Sequence, residues 1–145
     1  MPYQFLDDIA TADVAFKAWG ESPEDLFTSC SDALMNVMVE NLEAISRKEK
    51  KEIRVEHDAL DMLLFNFLQE FIFYKDAELL LLRAAQIRIA QKNPQAKYQL
   101  TAELSGERID TDRHHFNVDV KAVTLHRFEV KQGPMGWEAS VVLDI

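Results

Sequence analysis

The sequence feature that most constrains the fold is an alternation of apolar and polar residues in the second half of the chain. It occurs, wholly or in part, in residues 79–90, 98–104, 118–130 and 137–145. Alternation with a period of two is typical of strands that bury one face. Asn93 with Pro94, Ser105 with Gly106, and the segment 133–136 predict breaks between these strands. Because short turns join antiparallel neighbours, a mostly antiparallel sheet is expected.

The first half of the chain adds two stretches with helical spacing. Ser22 can cap a first helix with Pro23 at its first position, and a second helix is predicted to begin near His57 and Asp58. The apolar residues that recur with helical spacing are Leu26, Phe27, Cys30, Leu34, Val37 and Met38 in the first stretch and Leu60, Leu63, Leu64, Phe67, Leu68, Phe71 and Ile72 in the second.

Two further strands are predicted in this half, one with Val14, Phe16 and Ala18 on its buried face and a short one at Ile53 and Val55. We find no internal repeat, low-complexity stretch or linker that would divide the chain. The expected fold is therefore α+β, with two amphipathic helices packed on a mostly antiparallel β-sheet in a single domain, residues 1–145.

Length and composition agree with a small globular domain in a reducing compartment. The chain has 145 residues, a common size for one domain. Its single cysteine, Cys30, cannot form an internal disulfide and lies on the apolar stripe of the first helix, where a core position is expected. The start of the sequence does not resemble a signal peptide, and charged residues interrupt the apolar run 60–82. We therefore expect a soluble, cytoplasmic protein without a membrane role.

The net charge of −9 argues against a large role in binding nucleic acid. Affinity for phosphate backbones comes mostly from Lys and Arg, and an acidic protein repels them on average. The densest basic cluster, residues 47–51, is interrupted by Glu49 and is predicted to be a solvated turn before a strand. An acidic surface suits a divalent cation or a basic protein partner instead.

Several catalytic templates are absent from the sequence. The glycines have no phosphate-binding spacing, no serine lies in a nucleophile elbow, and one cysteine cannot build a cysteine-based zinc site. His114 and His115 are adjacent, so on an extended chain their rings face opposite ways. His126 lies in an alternating segment, where a partly buried, hydrogen-bonded imidazole is expected.

Two acidic positions stand out as candidate metal ligands. Asp13 begins a predicted strand on the face opposite Val14, so its carboxylate is presented at the end of a sheet. At the other end of the sequence, Asp144 offers a side-chain carboxylate next to the main-chain carboxylate of Ile145. Two adjacent anions repel each other unless a positive group lies between them. A hard cation with oxygen ligands, Ca²⁺ above all or Mg²⁺, would satisfy them.

The sequence resembles the archease family, whose members are small accessory proteins of tRNA splicing. The resemblance extends over nearly the whole chain and is carried by segments 5–7, 12–13, 22–27, 63–70, 110–114, 121–124 and, most of all, 141–145. It implies a divalent-metal site, usually described with calcium, with Asp13, Asp144 and Ile145 as ligands. The acidic segment 7–13 is longer than the usual family motif and lacks its histidine, so Asp8 is a substitute ligand for Asp13.

The resemblance also implies a partner, the GTP-dependent, manganese-using RNA ligase that seals tRNA exon halves. An archease promotes guanylation of this ligase and allows multiple turnover, with indirect contact with tRNA at most. Our leading hypothesis is thus a non-enzymatic activator that binds Ca²⁺, Mn²⁺ or Mg²⁺, with His114, Lys121 and His126 as weaker candidates for contact with the partner. The alternatives are a metal-dependent hydrolase or nucleotide-processing enzyme, and a metal-free, chaperone-like scaffold.

Overall fold

The computed structural model describes residues 2–6 and 13–145. Within these residues the chain forms seven β-strands, two α-helices and one short 3₁₀ helix, Leu42–Ala44. In chain order the strands and helices are β1 (Tyr3–Leu6), β2 (Asp13–Gly20), α1 (Pro23–Met38), β3 (Glu49–His57), α2 (Leu60–Glu78), β4 (Leu80–Ala90), β5 (Tyr98–Arg108), β6 (Ala122–Gly133) and β7 (Gly136–Asp144).

The strands of the described residues build two antiparallel sheets rather than one. The first has the order β1-β2-β7-β6 and the second the order β3-β5-β4. Both helices pack against both sheets, since α1 contacts β2 and β4 while α2 contacts β6, β4 and β3. The prediction of two helices on antiparallel strands is confirmed, with the strands divided between two sheets that share one core.

Helix α1 begins where the sequence predicts. The Asp25 N–H donates to Ser22 Oγ at 3.1 Å, and Pro23 occupies the first turn, where its missing N–H costs nothing. The predicted apolar stripe is buried, with Cys30 among the core residues. Burial raises the pKa of the Cys30 thiol, so this side chain behaves as a small apolar residue.

Helix α2 begins at Leu60 and lies at the centre of the core. Phe67 packs between Phe27 of α1 and Phe71, with ring centroids 5.7 and 5.1 Å away. The helix ends at Glu78, and the capping residue that follows, Leu79, adopts the left-handed backbone conformation with φ 56°. In the part of the chain that the structure describes, no helix has the length and apolar character needed to cross a membrane.

Three strand predictions were wrong in their bounds. The break expected at Ser105 and Gly106 does not occur, because β5 continues through both residues to Arg108. Strand β3 is longer than expected and includes Lys50 and Lys51, which were assigned to a turn. Strand β6 begins at Ala122 rather than at residue 118.

Candidate metal centre

Asp13 and Asp144 lie directly opposite each other on neighbouring strands. They are Cα partners in the antiparallel pairing of β2 with β7, at the end of the first sheet, and both are half-buried. Side chains of such partners lie on the same face, with Cβ atoms about 5 Å apart. Two carboxylates in this position repel each other, which lowers stability unless a cation lies between them.

Helix α2 holds in place the residues just before β6, the strand that lies beside Asp144 on the side away from β2. Asp144 is also the partner of Ala122 at the start of β6, and its carbonyl accepts the Lys121 N–H at 2.8 Å. The buried ammonium of Lys75 in α2 donates to the Val120 carbonyl at 2.8 Å and ion-pairs with Asp119. The edge of the candidate centre is therefore anchored to the helical core, although the Lys121 side chain itself is exposed.

The donor set fits a hard cation, but the side chains described supply only part of a coordination sphere. Asp13 and Asp144 offer carboxylate oxygens, and Ile145, half-buried directly after β7, offers main-chain oxygen. Among residues 2–6 and 13–145, no group of three or more His, Cys, Asp or Glu side chains is placed to hold a metal ion. The substitute ligand Asp8 lies outside the described residues.

The three histidines of interest have different surroundings. His114 is buried, and its Nδ1 accepts the Asp110 N–H at 2.9 Å, so its Nε2 carries the proton and donates to Glu107 at 3.0 Å. The adjacent His115 is exposed, and its Nε2 lies 3.7 Å from a carboxylate oxygen of Glu40. The expectation of a partly buried His126 was wrong, because this residue lies in an irregular part of β6 and is exposed.

Glu107 is a buried carboxylate that the sequence did not single out. It lies on the polar side of the alternation in β5, where exposure is expected, but the segment that follows β5 covers it. One oxygen accepts the Ser46 N–H at 2.6 Å, and Arg113 ion-pairs with the other. Burial acts to raise the pKa of Glu107, but hydrogen bonds from Ser46, His114 and Arg113 outweigh it and lower the pKa to about 2. The polar side chains of this cluster are hydrogen-bonded or ion-paired to one another, which is typical of a structural role. His114 is buried in the cluster and is not accessible to another protein.

The lowered pKa of Glu107 predicts a loss of stability in acid. The ordinary pKa of 4.5 falls to about 2 in the folded chain, so the carboxylate stabilises the fold fully above about pH 4.5. This contribution is lost as the pH falls toward about 2. Urea unfolding of wild type and Glu107→Gln should therefore give a difference in unfolding free energy that shrinks between about pH 5 and pH 3. A difference that stays constant over this range would contradict the assignment.

Comparison with known proteins gives one consistent family. The Archease protein family (MTH1598/TM1083) matches residues 3–145. Protein archease of Pyrococcus abyssi is 35% identical over 136 residues, which cover 93% of this chain and 94% of the relative. Protein archease of Methanopyrus kandleri is 33% identical over 145 residues, which cover all of both chains.

Solved structures agree with the sequence relatives. The solution structure of Methanobacterium thermoautotrophicum protein 1598 matches with a TM-score of 0.84 and 28% identity, over 99% of each chain. The crystal structure of an archease from Thermotoga maritima, described as a possible chaperone, matches with a TM-score of 0.65 over 98% of each chain and, at 19% identity, shows the fold alone. The family match and these relatives extend over almost the full sequence, and the chain therefore belongs to the archease family.

Proposed function

We propose that this protein is an accessory factor that binds a divalent cation and activates a GTP-dependent RNA ligase of tRNA splicing. The observation that carries the proposal is the direct opposition of Asp13 and Asp144 at the end of the first sheet. Membership of the archease family supports it. The identity of the partner ligase and the binding of the cation are both part of what we propose.

The cation would be held by the carboxylates of Asp13 and Asp144 with main-chain oxygen of Ile145, and Ca²⁺ suits this hard donor set best. When bound, it would neutralise the two carboxylates and offer a positive centre to oxygen ligands of a partner. Mn²⁺ and Mg²⁺ accept the same donors. The hydrogen bond from the Lys121 N–H to Asp144 and the anchoring of the preceding residues by Lys75 hold one side of this centre in place before a cation arrives.

The protein would act by docking to the ligase rather than by catalysis of its own. Its net charge of −9 suits a basic surface on the partner and disfavours direct contact with tRNA. Docking would place the cation, or the surface around it, beside the ligase while GTP reacts, and so promote guanylation and repeated turnover.

Replacing Asp144 with asparagine should give opposite effects with and without Ca²⁺. Without the cation the variant should be at least as stable as wild type, because one of two repelling carboxylates is removed. With Ca²⁺ at about 100 times the dissociation constant, wild type should gain about 2.7 kcal/mol in unfolding free energy, and Asp144→Asn should gain little. Thermal unfolding with EDTA and with Ca²⁺ measures both effects, and Glu56→Gln, an exposed acid in β3 of the other sheet, is the control.

Multiple-turnover ligation with the partner ligase connects this cation site to activity. Wild-type protein should raise the number of turnovers, and Asp144→Asn should raise it much less. If the two proteins stimulate equally although only wild type binds Ca²⁺, the scaffold alternative without a metal is favoured. Turnover of nucleotides by the isolated protein would favour the enzymatic alternative. Equal rates with and without the protein would refute the proposed function.

A further inference from the structure

Strand β6 contains a large bulge close to the candidate metal centre. Thr124 pairs with Val142 and Glu129 pairs with Ser140, so the four residues 125–128 lie opposite the single residue Val141. A bulge of this size displaces the strand from the sheet and redirects its side chains. Leu125 is 61% exposed, and the two residues that follow it are exposed as well.

The backbone of Arg127 in this bulge is strained. Its φ is 53°, and apart from Leu79 at the end of α2 no other non-glycine residue in the described ranges has a positive φ. The left-handed conformation costs a non-glycine residue about 1 kcal/mol or more, and Arg lacks the short polar side chain that makes it easier for Asn or Asp. Leu79 has an evident structural reason, since it terminates a helix. The bulge accounts for the conformation of Arg127 and leaves its side chain exposed beside the sheet, where the guanidinium is free to bind a ligand.

A groove lies beside the bulge on the outer face of the first sheet. It has a volume of about 460 Å³, within the usual range for small-molecule sites. The partners Ala15 and Val142 lie beneath it, on the sheet face opposite the core residue Phe16, and at 2% and 3% exposure they are sealed from solvent. The apolar lining residues that keep exposed surface are Leu6 and Phe128, both half-buried, and a flat apolar group can pack against them.

The rim of this groove carries two cations on opposite sides. Arg127 lines it from β6 and Lys17 from β2, with Ser140 of β7 between them. One acid, Glu129, also lines the groove, and Lys131 balances its charge by ion-pairing with it at 3.6 Å and with the neighbouring Glu138 at 3.3 Å. Lys17 approaches Glu138 only to 4.0 Å, and Arg127 forms no ion pair within the described part of the chain.

We propose that the groove between β2 and the β6 bulge binds a small phosphate ester with a flat apolar group, whose phosphate is held by Arg127 and Lys17. A phosphate monoester carries about two negative charges at neutral pH, which matches two cations better than a carboxylate does. Its oxygens accept the forked donors of a guanidinium, and its flat group packs against Leu6 and Phe128. The site requires neither the cation nor the ligase of the proposed function.

The test uses adenosine 5′-monophosphate, adenosine and inorganic phosphate as probes, titrated calorimetrically into the full chain with EDTA present. Adenosine 5′-monophosphate should bind at least about tenfold more tightly than either of the other probes, because only it both packs against the apolar wall and reaches the two cations. Arg127→Gly should lose about tenfold in affinity for it without any fall in melting temperature, since glycine adopts the same backbone without strain. Lys17→Gln should also weaken binding.

Leu79→Gly is the matched control, because it relieves the other positive-φ residue and should leave binding unchanged. The proposal is overturned if adenosine binds as tightly as its phosphate, if Arg127→Gly binds the phosphate like wild type, or if wild type binds none of the probes. None of these outcomes bears on the Ca²⁺-dependent stability of the Asp13–Asp144 centre, so the two proposals fail independently.

Discussion

Replacing Gly106 with alanine is expected to destabilise the protein strongly, by about 3 kcal/mol in unfolding free energy. Gly106 lies within β5, where it pairs with Glu49 on one side and Leu82 on the other. A Cβ atom at this position would come 1.8 Å from the backbone oxygen of Leu81, which is part of β4 and cannot turn away as a side chain could. The strands would have to separate, and chemical denaturation measures the loss.

Gly133→Ala is the control for this substitution. A Cβ atom there meets only the Gly136 oxygen at 3.9 Å, which is an ordinary contact, so its unfolding free energy should stay within about 0.5 kcal/mol of wild type. Equal stability of Gly106→Ala and Gly133→Ala would show that β4 and β5 do not approach as closely as described.

Phe67→Ala should have an effect at least as large, a loss of about 3–5 kcal/mol. The Phe67 ring is fully buried where α1 and α2 meet, between Phe27 and Phe71. Its removal leaves a cavity that the surrounding rings fill only in part, because the helices are held on both sides by sheets. Urea unfolding monitored by circular dichroism gives the change in free energy.

Phe73→Ala tests the same chemical change on the same helix at an exposed site. The Phe73 side chain is 56% exposed, so its removal should cost less than about 1 kcal/mol. If the two substitutions cost the same, Phe67 does not lie at the centre of the core. Phe73 also serves as a check that helix propensity, which changes equally in both variants, is not the cause of the loss.

The two proposals place function on one face of the first sheet. Asp13 and Asp144 occupy the last row of partners between β2 and β7. Ala15 and Val142, which lie beneath the groove, follow two residues further along the same face. Residues two apart on a strand are about 7 Å apart. A ligand in the groove would therefore lie next to the candidate cation, while the opposite face of the sheet packs against the helices.

The helices could be predicted well from the sequence because their signals are local. The Ser22 cap, Pro23 and the apolar spacing that follows act over a few residues, and each was confirmed. Strand bounds were less accurate since they depend on distant partners. Gly106 predicts a break by its residue type, but its missing side chain instead permits the close approach of β4.

The burial of polar residues was equally hard to predict from the sequence. Glu107 occupies a polar position in the alternating sequence of β5, and His114 lies in a polar loop sequence, so neither side chain is expected to be buried. Their burial results from the segment after β5 folding back to place His114 against Glu107. The bulge that exposes His126 likewise reflects the pairing of β6 with β7, which a regular alternation does not reveal.

The sequence by itself determined the α+β class, the order of the main elements and the family, because these follow from local periodicity, capping and motifs. It also singled out Asp13 and Asp144 as acids at strand ends. Only the tertiary structure decided that Asp13 and Asp144 are direct partners, that His114 is buried and hydrogen-bonded to Glu107, and that Arg127 borders a groove. Each of these depends on the register between strands that are far apart in the chain, and register is set by how the two sheets share one core.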